Sequence, residues 1–216
     1  MTDNPDEGST SDGDELLLHL GKLIVTWNDL ETLIRQVLYT LSDRDILTAA
    51  ILMADMSITG LMNVLRPLAF KYDEWQRAMF VDLQSERRLR DYLGPRQIEP
   101  VAPHVNHLIE FTDRLREYRN FYIHGINRPR PGKGFRARTQ TARTKFVIFE
   151  QPITLADLQI LTSEIERCIG YGFKVIDAVV MAREHMSSRD VGPPTWPEKP
   201  LLPDRLKKLP RSQQDA

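Results

Sequence analysis

Apolar residues recur at spacings of three and four from Leu16 to Leu41, through Leu20, Leu23, Ile24, Trp27, Leu30, Leu33, Ile34, Val37 and Leu38. That pattern predicts one amphipathic helix of about seven turns, beginning near Asp14. Ser42 followed by Asp45 has the form of a capping box and starts a second helix through Ile46, Ala49, Ala50, Leu52 and Met53. It is expected to bend around Ser57 to Gly60, resume through Leu61, Val64 and Leu65, and be kinked or ended by Pro67. Asp73 with Gln76 offers a third start, for a helix from Glu74 to about Leu93 that Gly94-Pro95 stops. Its second half (Glu86, Arg87, Arg88, Arg90, Asp91) reads as a charged surface. A fourth helix follows Pro103 and runs to His124, with apolar positions at Val105, Leu108, Ile109, Leu115 and Tyr118. Thr154 with Asp157 forms another box and opens the last helix, about Leu155 to Met186. Within that helix Gly170 and Gly172 read as points of close helix approach or slight bending.

Between the fourth and last helices the pattern changes. Pro129, Pro131, Gly132 and Gly134 mark a loop, and Phe135 to Arg138 and Lys145 to Phe149 read as two strands around a polar turn. The expected fold is all-α: an up-and-down bundle of about five long helices over residues 14–186, with a small β-hairpin at about 135–149 inserted before the last helix. Residues 1–13 read as a disordered acidic lead-in, and the proline-rich residues 187–216 as an extended tail without a core of its own. In that tail Trp196, Leu201 and Leu202 could dock on the domain or on a second subunit.

Composition narrows the class. At 216 residues with 41% hydrophobic content the chain can bury a sizeable core, and a net charge of −1 announces no polyanion or membrane partner globally. Charge is unevenly placed, however. Met1 to Glu15 is acidic without a basic residue, unlike a signal peptide, and no apolar run reaches the length of a membrane span. The single Cys168 excludes an internal disulfide framework and a cysteine-rich zinc site, and a reducing cytoplasm is the expected compartment. Conversely Arg128, Arg130, Lys133, Arg136, Arg138, Arg143 and Lys145 follow the fourth helix with no acidic residue among them. This concentration suits phosphate contact, and the few aromatics among it make base stacking a lesser element.

The chemistry-bearing stretch is Tyr118-Arg119-Asn120-Phe121-Tyr122-Ile123-His124-Gly125. Asn120 and His124, four apart, share a helix face, and Arg119 lies to the side of it. An arginine fork grips phosphate and a histidine exchanges a proton near neutral pH, so the set suits chemistry on a phosphodiester. A plainer reading stands beside this one: His124 stabilises a helix C-terminus and Arg119 pairs with a carboxylate. His104 and His107, at i, i+3, could share a metal, but no carboxylate completes a ligand set, and neither metal nor cofactor is expected.

Set near the end of a core helix in a helical bundle, Arg119-Asn120-x-x-x-His124 resembles the signature of the HEPN (higher eukaryotes and prokaryotes nucleotide-binding) superfamily: an arginine, a polar residue, and a histidine a few positions on. The Trp27-to-Glu31 segment also resembles the first helix of bacterial relatives. The resemblance covers roughly residues 14–185. It implies a metal-independent endoribonuclease acting on RNA, often a toxin or defence-system component with an antitoxin or other partner protein. It further implies a homodimer with two motifs facing each other across a composite site. Arg119, Asn120 and His124 would be catalytic, the basic residues 128–145 would hold RNA, and Glu31 and Tyr122 would support the motif. The alternative is a non-catalytic helical module of the same fold that binds RNA or a partner protein, with Arg119 paired to Glu31 or another buried acid.

Overall fold

The computed structural model describes residues 9–42, 50–51, 53–85, 99–130, 134–141, 147–188 and 191–204. Four long helices carry them: α1 (Ser9–Ser42), α2 (Ile58–Ser85), α3 (Ala102–Gly125) and α4 (Leu155–Ser187). Three strands, β1 (Ile126–Arg130), β2 (Gly134–Thr141) and β3 (Val147–Pro152), lie between α3 and α4. The chain forms two compact units: residues Met1–Asn28, Phe111–Glu166 and Leu202–Ala216, and residues Asp29–Glu110 with Arg167–Leu201.

In the first unit Leu16, Leu23, Trp27, Phe111, Leu115 and Leu158 are buried; in the second, Leu30, Leu33, Leu61, Leu65, Leu108 and Val175. The apolar stripe predicted for α1 is its core face apart from Ile24, which is exposed, and Leu20, which is half-buried. The helix starts earlier than expected, at Ser9, which makes residues 9–13 helical.

Pro67 does not end a helix. It lies inside α2, which runs unbroken from Ile58 to Ser85. A proline costs the bond to the carbonyl four residues back, here that of Asn63, but Asn63 is exposed, so water can reach the freed group. Asp73 and Gln76, expected to open a helix, are buried in the middle of this one. Asp73 caps a different helix: its Oδ1 accepts from the Val101 N–H at 2.7 Å and its Oδ2 from the Ala102 N–H at 3.0 Å, at the start of α3. Ser42, expected to open a second helix, is instead the last residue of α1, its hydroxyl donating to the Tyr39 carbonyl at 3.1 Å. Asp45 and Ile46, and the charged segment Glu86 to Asp91 with Gly94-Pro95, lie outside the described residues.

At α4 the predicted box forms. The Thr154 N–H donates to Asp157 Oδ2 at 2.9 Å, and the Asp157 N–H donates to Thr154 Oγ1 at 3.2 Å. Of the two glycines in α4 only Gly172 marks a close approach. A Cβ there would lie 2.3 Å from Leu33 Cδ2, whereas one at Gly170 meets nothing within 4 Å. Where a two-stranded hairpin is expected over 135–149, the described strands form an antiparallel sheet in the order β1-β2-β3. Pro129, expected in a loop, is on edge strand β1 at an irregularity of register between Asn127 and Arg130. Proline is tolerated there because an edge strand has one side without partners.

Residues 191–204 form an extended strap without helix or strand. The His185 ring Nδ1 contacts the Val191 carbonyl at 2.6 Å, His107 Nε2 contacts the Pro200 carbonyl at 2.8 Å, and Arg167 Nη2 donates to the Leu201 carbonyl at 2.8 Å. Trp196 stacks on His104, centroids 4.7 Å apart, and His104 Nδ1 lies 3.1 Å from the Tyr171 hydroxyl. Burial, then the charges of Lys199 and His107, hold the His104 imidazole below its ordinary value.

Two outcomes are expected. Gly172→Ala should destabilise by about 1–3 kcal/mol through overpacking against Leu33, and Gly170→Ala should stabilise by about 0.5–1 kcal/mol, both read from urea midpoints. As for pH, the folded chain binds a proton at His104 less readily than the unfolded chain does. The resulting stability is complete above about pH 6.5 and is lost as pH falls toward the lower folded value. Urea midpoints of wild type should therefore fall between pH 7.5 and 5.5 more steeply than those of His104→Phe.

Candidate functional site

The last turns of α3 bring the three motif residues together. Arg119 lies to the side of the face that Asn120 and His124 share, but its side chain is long enough to turn onto that face. Its Nη1 donates to Asn120 Oδ1 at 3.2 Å and lies 3.2 Å from His124 Nε2. A guanidinium has no acceptor, so Nε2 accepts, and the proton of the neutral ring is on Nδ1. Asn120 and His124 are exposed, and Arg119 is partly buried.

What holds Arg119 is Trp27 of α1. The guanidinium carbon lies 5.6 Å from the centroid of the indole, which is 2% exposed. The ring face attracts the cation and supplies a flat support for it. Arg119 Nε is buried with no hydrogen-bond partner among the described residues, and the contacts to Asn120 and His124 are made by the terminal Nη1.

The opposite side of the turn is apolar. Phe121 and Tyr122 are buried and meet edge to face, centroids 5.4 Å apart. Burial, followed by the nearby Asp157 carboxylate and Tyr118, pushes the Tyr122 hydroxyl up to about 12. Tyr118 is raised by burial first, then by Asp204 of the strap and by Glu117. Neither phenol is a source of charge at the motif around pH 7, and Tyr122 supports the turn as a packing group. Glu31, expected beside the motif, stands 3.9 Å from Arg35 in an i, i+4 pair.

Of the basic residues, Arg128 and Arg130 are on β1 and Arg136 and Arg138 on β2. Arg136 pairs in register with Asn127 on one side and Pro152 on the other, and Arg138 pairs with Glu150. Lys133, Arg143 and Lys145 lie outside the described residues. Strand β1 begins directly after Gly125, which places the basic strands immediately behind the motif in the chain. His104 and His107 are engaged with Tyr171 and the strap, and among the described residues no group of three or more His, Cys, Asp or Glu is placed to hold a metal ion. Also among the described residues, no helix is long and apolar enough to cross a membrane.

The sequence marks Trp27 only as a member of the α1 apolar stripe and of the Trp27-to-Glu31 segment. Its role under Arg119 depends on two helices meeting, which no spacing within α1 encodes. No family model matches the chain, and no curated protein or solved structure matches it either.

If Trp27 is the support of Arg119, the two should be energetically coupled. A double-mutant cycle with Trp27→Leu and Arg119→Met is expected to give a coupling of about 0.5–2 kcal/mol. Additive effects on the urea midpoint would remove Trp27 from the site.

Proposed function

We propose that the chain is an endoribonuclease of the HEPN type, cleaving RNA through attack of a ribose 2′-hydroxyl on the adjacent phosphorus. The observation that carries this reading is the convergence of Arg119, Asn120 and His124 on an exposed helix end, with Nε2 of the histidine 3.2 Å from a guanidinium nitrogen. A phosphate entering here competes for the guanidinium. Arg119 shifts its Nη1 to a phosphoryl oxygen and stabilises the charge that builds there. That shift releases Nε2, which takes the proton of the 2′-hydroxyl as the 2′-O–P bond forms. The P–O5′ bond breaks, the leaving oxygen is protonated, and the products are a 2′,3′-cyclic phosphate and a 5′-hydroxyl. The nucleophile belongs to the substrate, so the scheme needs neither a metal-activated water nor a cofactor.

One histidine cannot begin as both base and acid. A homodimer supplies the second, with His124 of another copy protonating the leaving oxygen. In the unit that contains the motif, α1 offers a surface for such pairing. Leu17, Leu18, Ile24 and Val25 are exposed at i, i+1, i+7, i+8 spacing, a single stripe apart from the core face. The basic strands after Gly125 would hold the RNA backbone. A toxin or defence role, with an antitoxin or other partner protein in the cytoplasm, is the setting the resemblance suggests.

One observation favours a second reading. Arg119 is seated on Trp27 and bonded within its own helix, as a purely structural arginine would be. The chain would then be a non-catalytic HEPN-like module binding RNA or a protein, and Arg119→Ala would lower the melting temperature.

The readings separate in one assay. Purified wild type should cleave RNA in the presence of EDTA and leave cyclic phosphate ends, and His124→Ala should be slower by about 100-fold or more. Val25→Glu should shift the protein to monomer by analytical ultracentrifugation and lose activity with it. If His124→Ala cleaves as fast as wild type, the enzymatic assignment is wrong.

A further inference from the structure

We propose that the face of the second unit formed by the start of α3 and the length of α4 is a receptor groove for extended, proline-rich segments bearing a tryptophan, occupied here by the chain's own residues 191–201. The groove's contacts with the strap backbone run in one direction. His185, His107 and Arg167 each present nitrogen to a main-chain carbonyl, of Val191, Pro200 and Leu201 respectively. The strap matches that polarity. Pro193, Pro194, Pro197 and Pro200 offer carbonyls and carry no N–H that would need an acceptor.

Length makes the same demand. His185 and Arg167 are eighteen residues apart on α4, roughly 27 Å at the helical rise. The strap covers that distance with the ten steps from Val191 to Leu201, which in polyproline geometry extend to roughly 31 Å. A segment with helical or turn structure could not reach both anchors. Between them one side chain is read in depth: Trp196, stacked on His104 at an interplanar angle of 21°. Behind it Tyr171 bonds His104 and meets His107 edge to face, centroids 5.4 Å apart. Carbonyl recognition at both ends with an aromatic anchor between them is the physics of polyproline-binding surfaces. Leu201, by contrast, is 85% exposed, so its carbonyl alone is used.

The cis ligand is also held below its full strength. The Trp196 indole N–H is buried with no acceptor among the described residues, which opposes docking. A peptide of the same pattern bears the same cost and, unlike the strap, is not tethered, so it fills the groove when the strap is ejected.

The test uses the full-length chain and a fluorescein-labelled synthetic peptide of residues 191–204, followed by anisotropy. In wild type the groove is filled, and binding should be weak. Trp196→Glu, which ejects the strap, should bind the peptide at least tenfold more tightly, and a peptide with alanine in place of its tryptophan should bind at least tenfold more weakly than the intact one. Trp196→Ala reads the same quantity if the glutamate variant does not fold. Equal affinity of wild type and variant, or of the two peptides, overturns the proposal. RNA cleavage is not read in either arm, so the result stands apart from the enzymatic assignment.

Discussion

The carboxylate of Asp73 on the first N–H groups of α3 is the contact on which the arrangement of the second unit depends. A charged group that is 3% exposed is tolerated inside a protein only when its oxygens are bonded, and here both are, to Val101 and Ala102. The bonds are mutual in effect. They satisfy two of the donors that every helix start leaves open, and they place negative charge at the positive end of the helix dipole. Since Asp73 belongs to α2, the start of α3 is fixed by a side chain from elsewhere in the chain. Within the second unit that register sets His104 and His107 against the strap.

Much of this was legible in the sequence where the cause is local. The Thr154–Asp157 box needs only residues three apart, and it forms; the apolar stripe of α1 needs only its own period, and all of it but Leu20 and Ile24 is buried. Non-local causes were not legible. Asp73 and Gln76 have the spacing of a helix start, but a buried carboxylate serves the helix that packs against it, and only the tertiary structure says which. Pro67 shows the same limit from the other side, because its cost depends on whether water reaches the carbonyl of Asn63. Two glycines two residues apart in α4 look alike in sequence, yet only Gly172 faces Leu33.

The motif divides in the same way. That Asn120 and His124 share a face follows from a spacing of four. That Arg119 joins them follows from side-chain length together with Trp27, on a helix about ninety residues earlier in the chain. The indole turns an arginine that would otherwise sweep through solvent into a positioned donor. The order of events in the proposed reaction rests on that position: the group that stabilises the phosphate is the one that first occupies the base.

One consequence concerns mechanics. Helix α3 ends at Gly125 and β1 begins at Ile126, with no connecting loop. A loop of several residues would absorb movement of the sheet before it reached the helix. Here the dihedrals of a single glycine, the most permissive residue a chain can place there, stand between the strand and His124. The sheet and the histidine are thus joined at one pivot and not through a tether.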